Sequence, residues 1–563
     1  MFLPTIKEEL DVLGWERLDV ILVTGDSYVD SPFVGVSVIG KLLVQAGYRV
    51  GIIAQPDVHS KQDIVRLGEP ALFWGVSGGC VDSMVANYTA TKKRKKTDDM
   101  TPGGTNDRRP DRAVIAYSNL IRRYFKETKP IVLGGVEASL RRIAHYDFWA
   151  DKIRRAILFD AKADFLLYGM AERSVVELAN ALAEGSYVQG IRGLCYIAPA
   201  AKAGYVELPS FQEVAQDKHA FVEMFHTFYA NNDPLTAKGL CQRQDTRYLI
   251  QNPPAPYLTQ KELDDVYAID FERSQHPFYE SQGQVKALET TRFSIATHRG
   301  CYGECNFCSI AVHQGRTVRW RSQASIVAEA QSLAGRSDFK GYIQDVGGPT
   351  ANMYGFECDK KLEQGSCAHK RCLYPEVCGS LNVDHSKQLQ LLRALRQIEG
   401  VKKVFIGSGI RYDLILDDEK DGGRYLREVV RHHVSGQLKV APEHTQDRVL
   451  SKMGKPGNES LIEFKQQFDR LTAEAGKDQF LTYYLIAAHP GCSEKDMKRM
   501  RAFISRELQV NPEQVQIFTP TPATYSSVMY YTEIDPFTGE SLFVEKDAKR
   551  KQKQKNIVLS KRR

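Results

Sequence analysis

"TRFSIATHRGCYGECNFC" occupies residues 291–308, where an apolar strand pattern runs straight into three cysteines. Cys301, Cys305 and Cys308 stand in the spacing C-x3-C-x2-C. Thiolates four and then three residues apart on a tight loop can converge on one metal centre. A single zinc ion needs a fourth ligand, which His298 or His313 could supply. Three cysteines can instead hold three irons of a [4Fe–4S] cluster, which is normally held by four, and so leave one iron open. Phe307, between the last two cysteines, can shield a cluster and pack against a flat ligand. The strand-end position favours the cluster; zinc and no metal at all stay open on spacing alone.

The same stretch begins a series. Strand patterns recur at 291–297, 341–346, 402–409, 436–443, 480–488 and 513–520, with amphipathic helical stretches such as "HSKQLQLLRALRQIEG" between them. Six strand–helix units in a row predict a (β/α)6-type partial barrel over 288–545, with its chemistry at the C-terminal ends of the strands. The cysteine trio follows the first of these strands, where a barrel site belongs.

Upstream, residues 1–200 also alternate apolar strands ("DVILVTG", "RVGIIAQ", "ALFWGVSGG", "PIVLGGVEAS", "ADFLLYG") with helices. Strands apolar throughout predict an α/β domain, an open parallel sheet of Rossmann-like kind covered on both faces. Residues 201–287 carry prolines and scattered aromatics and read as a connector wrapping the two domains. Residues 546–563, "KDAKRKQKQKNIVLSKRR", read as a basic disordered tail.

The composition fits a globular chain: 42% hydrophobic, 26% charged, 10% aromatic, over 563 residues. No apolar run approaches the ~20 residues of a membrane span, and the N-terminus has no secretory pattern. Eleven cysteines, several of them clustered, fit a reducing, cytoplasmic setting and metal ligation better than a disulfide scaffold. A net charge of +7 is compatible with an acidic partner without arguing for one. The basic run "TKKRKK" (91–96) and the tail are the only hints of nucleic acid, and such runs usually sit in solvated loops, so RNA is disfavoured as substrate.

The trio with its aromatic Phe307 matches the C-x3-C-x-Φ-C signature of radical S-adenosylmethionine (SAM) enzymes. With "PPAPYLTQKELDDVY", "DVGGPTANMYG", "SGIRYD", "LKVAPEHT" and "FTPTPAT", nearly the whole chain resembles the YgiQ-like family of radical SAM proteins. That resemblance implies a [4Fe–4S] cluster on Cys301, Cys305 and Cys308, with SAM bound to the open iron through its amino and carboxylate groups. Reduction by a partner such as flavodoxin or ferredoxin then cleaves SAM to methionine and a 5′-deoxyadenosyl radical, which attacks a substrate the resemblance does not name. It also implies that Gly347 and Gly348, after the second barrel strand, contact the SAM amino group. Radical SAM enzymes usually have an acidic residue next; Pro349 stands there, leaving Asp345 as a weak substitute.

Other strand ends offer Ser408 and Arg411, the latter able to hold the SAM carboxylate in a bidentate pair or to pair with Asp413. Glu443 and His444 could meet the SAM ribose or substrate, or serve in acid–base steps. His489 and Pro520 read as strand-exit turns. A second group, Cys358, Cys367, Cys372 and Cys378, has the spacing C-x8-C-x4-C-x5-C, which matches no standard knuckle; a second metal site, ordinary loop cysteines and a redox disulfide all stay open. The N-terminal domain resembles the cobalamin-binding-like domain that precedes several radical SAM cores. Its first loop has Asp26 and Asp30 but no histidine, which disfavours histidine-ligated cobalamin. Gly78, Gly79, Gly134 and Gly135 mark either a ligand crevice or tight turns. The rival readings are a methylthiotransferase-like modifier of tRNA or protein, and a non-catalytic iron–sulfur redox sensor.

Overall fold

The computed structural model describes residues 1–559 and divides into two compact units. One comprises Met1–Tyr257, Ile269–Arg292 and Thr521–Ala523, the other Leu258–Ala268, Phe293–Pro520 and the chain from Thr524 onward.

Among the described residues, the first unit is built on a nine-stranded sheet. Its order is Val206–Leu208, Leu240–Gln244, Arg247–Gln251, Leu194–Ala198, Phe165–Leu167, Ile131–Gly134, Phe73–Ser77, Val20–Thr24, Val50–Ala54. The five strands from Phe165–Leu167 to Val50–Ala54 are parallel to one another. Val20–Thr24 is buried along its whole length, as expected of a central strand with helices on both faces. The connector reading of 201–287 is corrected here. Three strands from that stretch extend the sheet, two of them as an antiparallel hairpin turned at Asp245 with φ 57°. They escaped notice because they carry Gln and Arg at alternate positions ("LCQRQDTRYLIQ") in place of an apolar run. The basic run 91–96 is held against its own unit. Lys92 lies 4.8 Å above the Phe148 ring, and Lys95 Nζ donates to the Val85 carbonyl at 2.8 Å.

In the second unit, parallel pairing links Ser294–Ala296 to Asp345–Gly347, Tyr342–Ile343 to Lys403–Val404, Gln437–Glu443 to Phe480–Ala487, and the last of these to Gln516–Ile517. A parallel bridge from Ile410 to Val440 joins the two halves. Helices Gln323–Ala334, Ser386–Arg396, Gly422–His432, Glu459–Glu474 and Glu494–Phe503 alternate with the strands. This is an α/β partial barrel. Its long strands alternate: Leu481, Tyr483, Leu485 and Ala487 are buried in the helix-packed core, while Phe480 and Tyr484 on the opposite face are exposed.

The tail is the second correction. Ala548–Leu559 is a helix, and Lys551, Gln554 and Val558 on one of its faces are buried. The spacing of three and four residues is helical, but two of the three buried residues are polar, so no apolar period reveals them. Their polar ends are satisfied: Lys551 Nζ donates to the Tyr530 hydroxyl at 2.7 Å, and Gln554 Oε1 accepts from Ala488 N at 3.1 Å. The helix is thus the sixth of the barrel, and the remaining tail residues, 560–563, lie outside those described.

Candidate active site

The cysteine loop is tied off at its base. Thr297 N donates to Gly347 O at 2.7 Å, joining the first two strand ends. His298–Arg299 then pairs antiparallel with Arg319–Trp320, so the chain between them bulges out as a closed loop. Gly300 has φ +82°, and a Cβ there would lie 2.5 Å from Thr317 O, so only glycine fits this corner. Asn306 pins the far side: its backbone N donates to Met453 O and its Nδ2 to Lys452 O, each at 2.8 Å.

Within the loop Cys301 and Cys305 converge about Gly303. A side chain built there would sit 3.3 Å from Cys301 Sγ, 3.6 Å from Cys305 Sγ and 3.3 Å from Arg411 Nη1. Gly303 N and Thr350 Oγ1 approach Cys301 Sγ at 3.3 and 3.7 Å. As free thiols Cys301 and Cys308 resist ionisation. Burial, and then the neighbouring Cys305, push Cys301 up, and the same causes push Cys308 up to about 12. Thiolates here need a cationic centre to offset the desolvation. The three do not close on a point: among the described residues, no group of three or more His, Cys, Asp or Glu side chains is spaced for a single ion. His298, a possible zinc ligand by sequence, is buried, and its Nδ1 pairs with Thr297 Oγ1 at 2.8 Å.

The other predicted residues are brought to the same end of the barrel, in altered roles. Arg411 is buried and holds Asp413 in a bidentate pair through Nε (2.8 Å) and Nη2. Burial opposes its charge, but Asp413 overrides this and keeps the guanidinium protonated. Its Nη1 faces the Cys301–Cys305 side, as the Gly303 geometry shows. Ser408 is turned to Asp345: the carboxylate accepts from Ser408 Oγ, from Ser408 N at 3.0 Å and from Gly407 N at 2.7 Å. Asp345 thus shapes the third strand's exit. Gly347 lies against Ser408, and a Cβ on Gly348 would meet His298 Nε2 at 2.6 Å, so Gly348 admits the His298 ring.

Glu443 is half-buried at a bulge in its strand with φ 66°. Burial raises its carboxyl pKa; Lys455 and Arg411 pull against that. His444 is buried, and its Nδ1 accepts from Gln446 N at 3.0 Å, a loop role. Phe307 meets the His489 ring edge-on at 6.4 Å, and His489 Nε2 pairs with Ser526 Oγ at 2.7 Å. Thr350, Asn306 and Lys455 were not singled out by the sequence reading. Only the "PT" after "GG" offered a signal for the first of them.

An α/β sheet unit followed by six parallel strand–helix units, with C-x3-C-x2-C at the mouth of the first, defines a radical SAM enzyme. The chain belongs to the radical SAM N-terminal family, whose model matches residues 2–294, and its relatives are named UPF0313 proteins. One from Fusobacterium nucleatum is 60% identical over 563 residues, covering 100% of this chain and 99% of its own. One from Thermotoga maritima is 49% identical over 566 residues with the same coverage. The fold is similar to that of TsrM, a radical SAM methyltransferase from Kitasatospora setae solved with cobalamin and a [4Fe–4S] cluster bound. The TM-score is 0.52 at 16% identity, over 91% of this chain and 74% of that one. No helix among the described residues is long and apolar enough to cross a membrane.

Proposed function

We propose that Cys301, Cys305 and Cys308 hold three irons of a [4Fe–4S] cluster whose fourth iron takes SAM. The observation that carries this reading is the convergence of Cys301, Cys305 and Arg411 on the side-chain space that Gly303 leaves empty. When bound, the cluster and SAM supply one-electron cleavage of the sulfonium to methionine and a 5′-deoxyadenosyl radical. The electron comes from a low-potential partner of the flavodoxin or ferredoxin kind.

This chain's residues do the holding. Asp413 fixes Arg411 so that Nη1 presents charge beside the thiolates, where a SAM carboxylate would bind. Asp345 and Ser408 act together to set the strand exit next to Gly347. Glu443, on its left-handed backbone, offers an acceptor for ribose hydroxyls. Phe307, backed by His489, shields the trio from water. Histidine-ligated cobalamin is not part of this reading, because the loop after the first strand holds Asp26 and Asp30 and no histidine. At the strand ends of the first unit Asp26 and Arg109 form a buried pair at 2.7 Å, joined by Asp98 at 2.9 Å, and a Cβ on Gly25 would lie 2.3 Å from Gly78 O.

The test is anaerobic reconstitution, then dithionite and SAM, with 5′-deoxyadenosine as the readout. Wild type should form it and Cys305→Ala should not. A wild type that forms none and binds no SAM ends the reading.

A further inference from the structure

Tyr302, the residue after Cys301, is fully buried in a small apolar cluster with Met353, Phe356, Cys358, Leu373 and Leu381. Cys301 packs against this cluster, and so do Cys372 and Cys378. Cys358 belongs to the same cluster as Tyr302, and Cys372 packs against it. Cys378 N donates to Cys372 O at 2.8 Å, which brings those two positions together. The fourth cysteine, Cys367, is exposed on the turn after helix Asp359–Gln364, five residues before Cys372. All four are free thiols.

A cation lies buried among them. Lys361 is 4% exposed, and its Nζ donates to Arg316 O at 2.5 Å and to Cys372 Sγ at 3.4 Å. The Glu304 carboxylate is 3.8 Å away and is shared with Arg316 at 3.4 Å. Glu304 offsets the buried ammonium's charge, and the contact with Cys372 sets Lys361 as a donor beside that thiol.

We propose that Cys358, Cys367, Cys372 and Cys378 bind a second [4Fe–4S] cluster, separated from the first by Tyr302, with Cys367 brought in from the exposed turn and Lys361 donating to a ligand sulfur. Four thiolates would leave no iron open, so this site binds no substrate.

Iron, zinc and labile sulfide are counted on the full chain after anaerobic reconstitution, alongside electron paramagnetic resonance of the reduced protein. Wild type should carry about eight irons, and Cys301→Ala/Cys305→Ala/Cys308→Ala about four. Cys367→Ser/Cys378→Ser should keep about four, with the SAM-sensitive signal of the first cluster, which shows that it is folded. Four irons in wild type, all lost with the trio, would overturn the second site and leave the SAM reading standing. Zinc or a disulfide on these cysteines in the trio variant, or eight irons in Cys367→Ser/Cys378→Ser, would overturn it equally. A wild type without iron would overturn both readings.

Discussion

Replacing Gln554 with leucine tests whether the basic C-terminal helix is a working part of the barrel. Gln554 is fully buried; its Oε1 accepts from Ala488 N at 3.1 Å and its Nε2 donates to Cys492 O at 3.3 Å. Ala488 is in the left-handed region at φ 57°, in the strand exit that carries His489 behind Phe307. Leucine has nearly the same volume, so no large cavity opens, but one N–H and one C=O are left unpaired inside the protein. Each such group costs about 1–3 kcal/mol, and a combined loss of about 3 kcal/mol is expected. For a unit of this size that lowers the melting temperature by roughly 6–12 °C. Gln552, two residues earlier on the same helix, is exposed and bonds only to Asn556 at 2.9 Å among the described contacts. Gln552→Leu should stay within about 0.5 kcal/mol of wild type. Calorimetry or circular-dichroism melts of the two variants side by side decide the matter. If Gln554→Leu melts with Gln552→Leu, the helix is not docked and its place as the sixth barrel helix is refuted.

Three further outcomes are expected. Gly348→Ala forces a methyl to within 2.6 Å of His298 Nε2 and should cost about 1–3 kcal/mol by overpacking; adding His298→Ala should restore most of it in denaturant titrations, and no rescue would show that the ring is not the obstacle. Asp413→Asn leaves Arg411 as a buried, unpaired cation and should destabilise by about 3–5 kcal/mol; an unchanged denaturation midpoint would count against the buried pair. His145 is buried in the first unit, and burial, then Arg141, push its pKa from the ordinary 6.5 down to about 4. The unfolded chain therefore binds a proton that the folded chain refuses. Stability from this group is fully present above pH 6.5 and is lost as pH falls towards 4, by about 1.4 kcal/mol per pH unit. His145→Gln should flatten the pH dependence of the urea midpoint in that window, and an unchanged slope would assign the effect elsewhere.

The barrel strands and the trio were legible in the chain because both signals are local. A run such as "FLTYYLIAA" carries its own β pattern, and C-x3-C-x2-C is fixed by spacing. The hairpin Leu240–Gln251 and the helix Ala548–Leu559 were not legible, because they bury glutamine and lysine through hydrogen bonds that have no apolar period. Arg411 illustrates the middle case. Its position at a strand end was clear, and both a ligand contact and a pair with Asp413 were open; the fold takes the pair and leaves Nη1 facing the cysteines.

By itself, then, the sequence determined the α/β class, the order of the strand–helix units and the thiols available for a cluster, since periodicity and spacing are properties of neighbouring residues. Which side chains meet around those thiols was decided only by tertiary structure. Asp345 turned to Ser408, His298 fitted over Gly348, and Lys361 buried beside Cys372 are contacts between segments 11 to 63 residues apart. Such contacts exist only once the strands align and the loops close over them, because burial and hydrogen-bond partners are set by packing and not by adjacency along the chain.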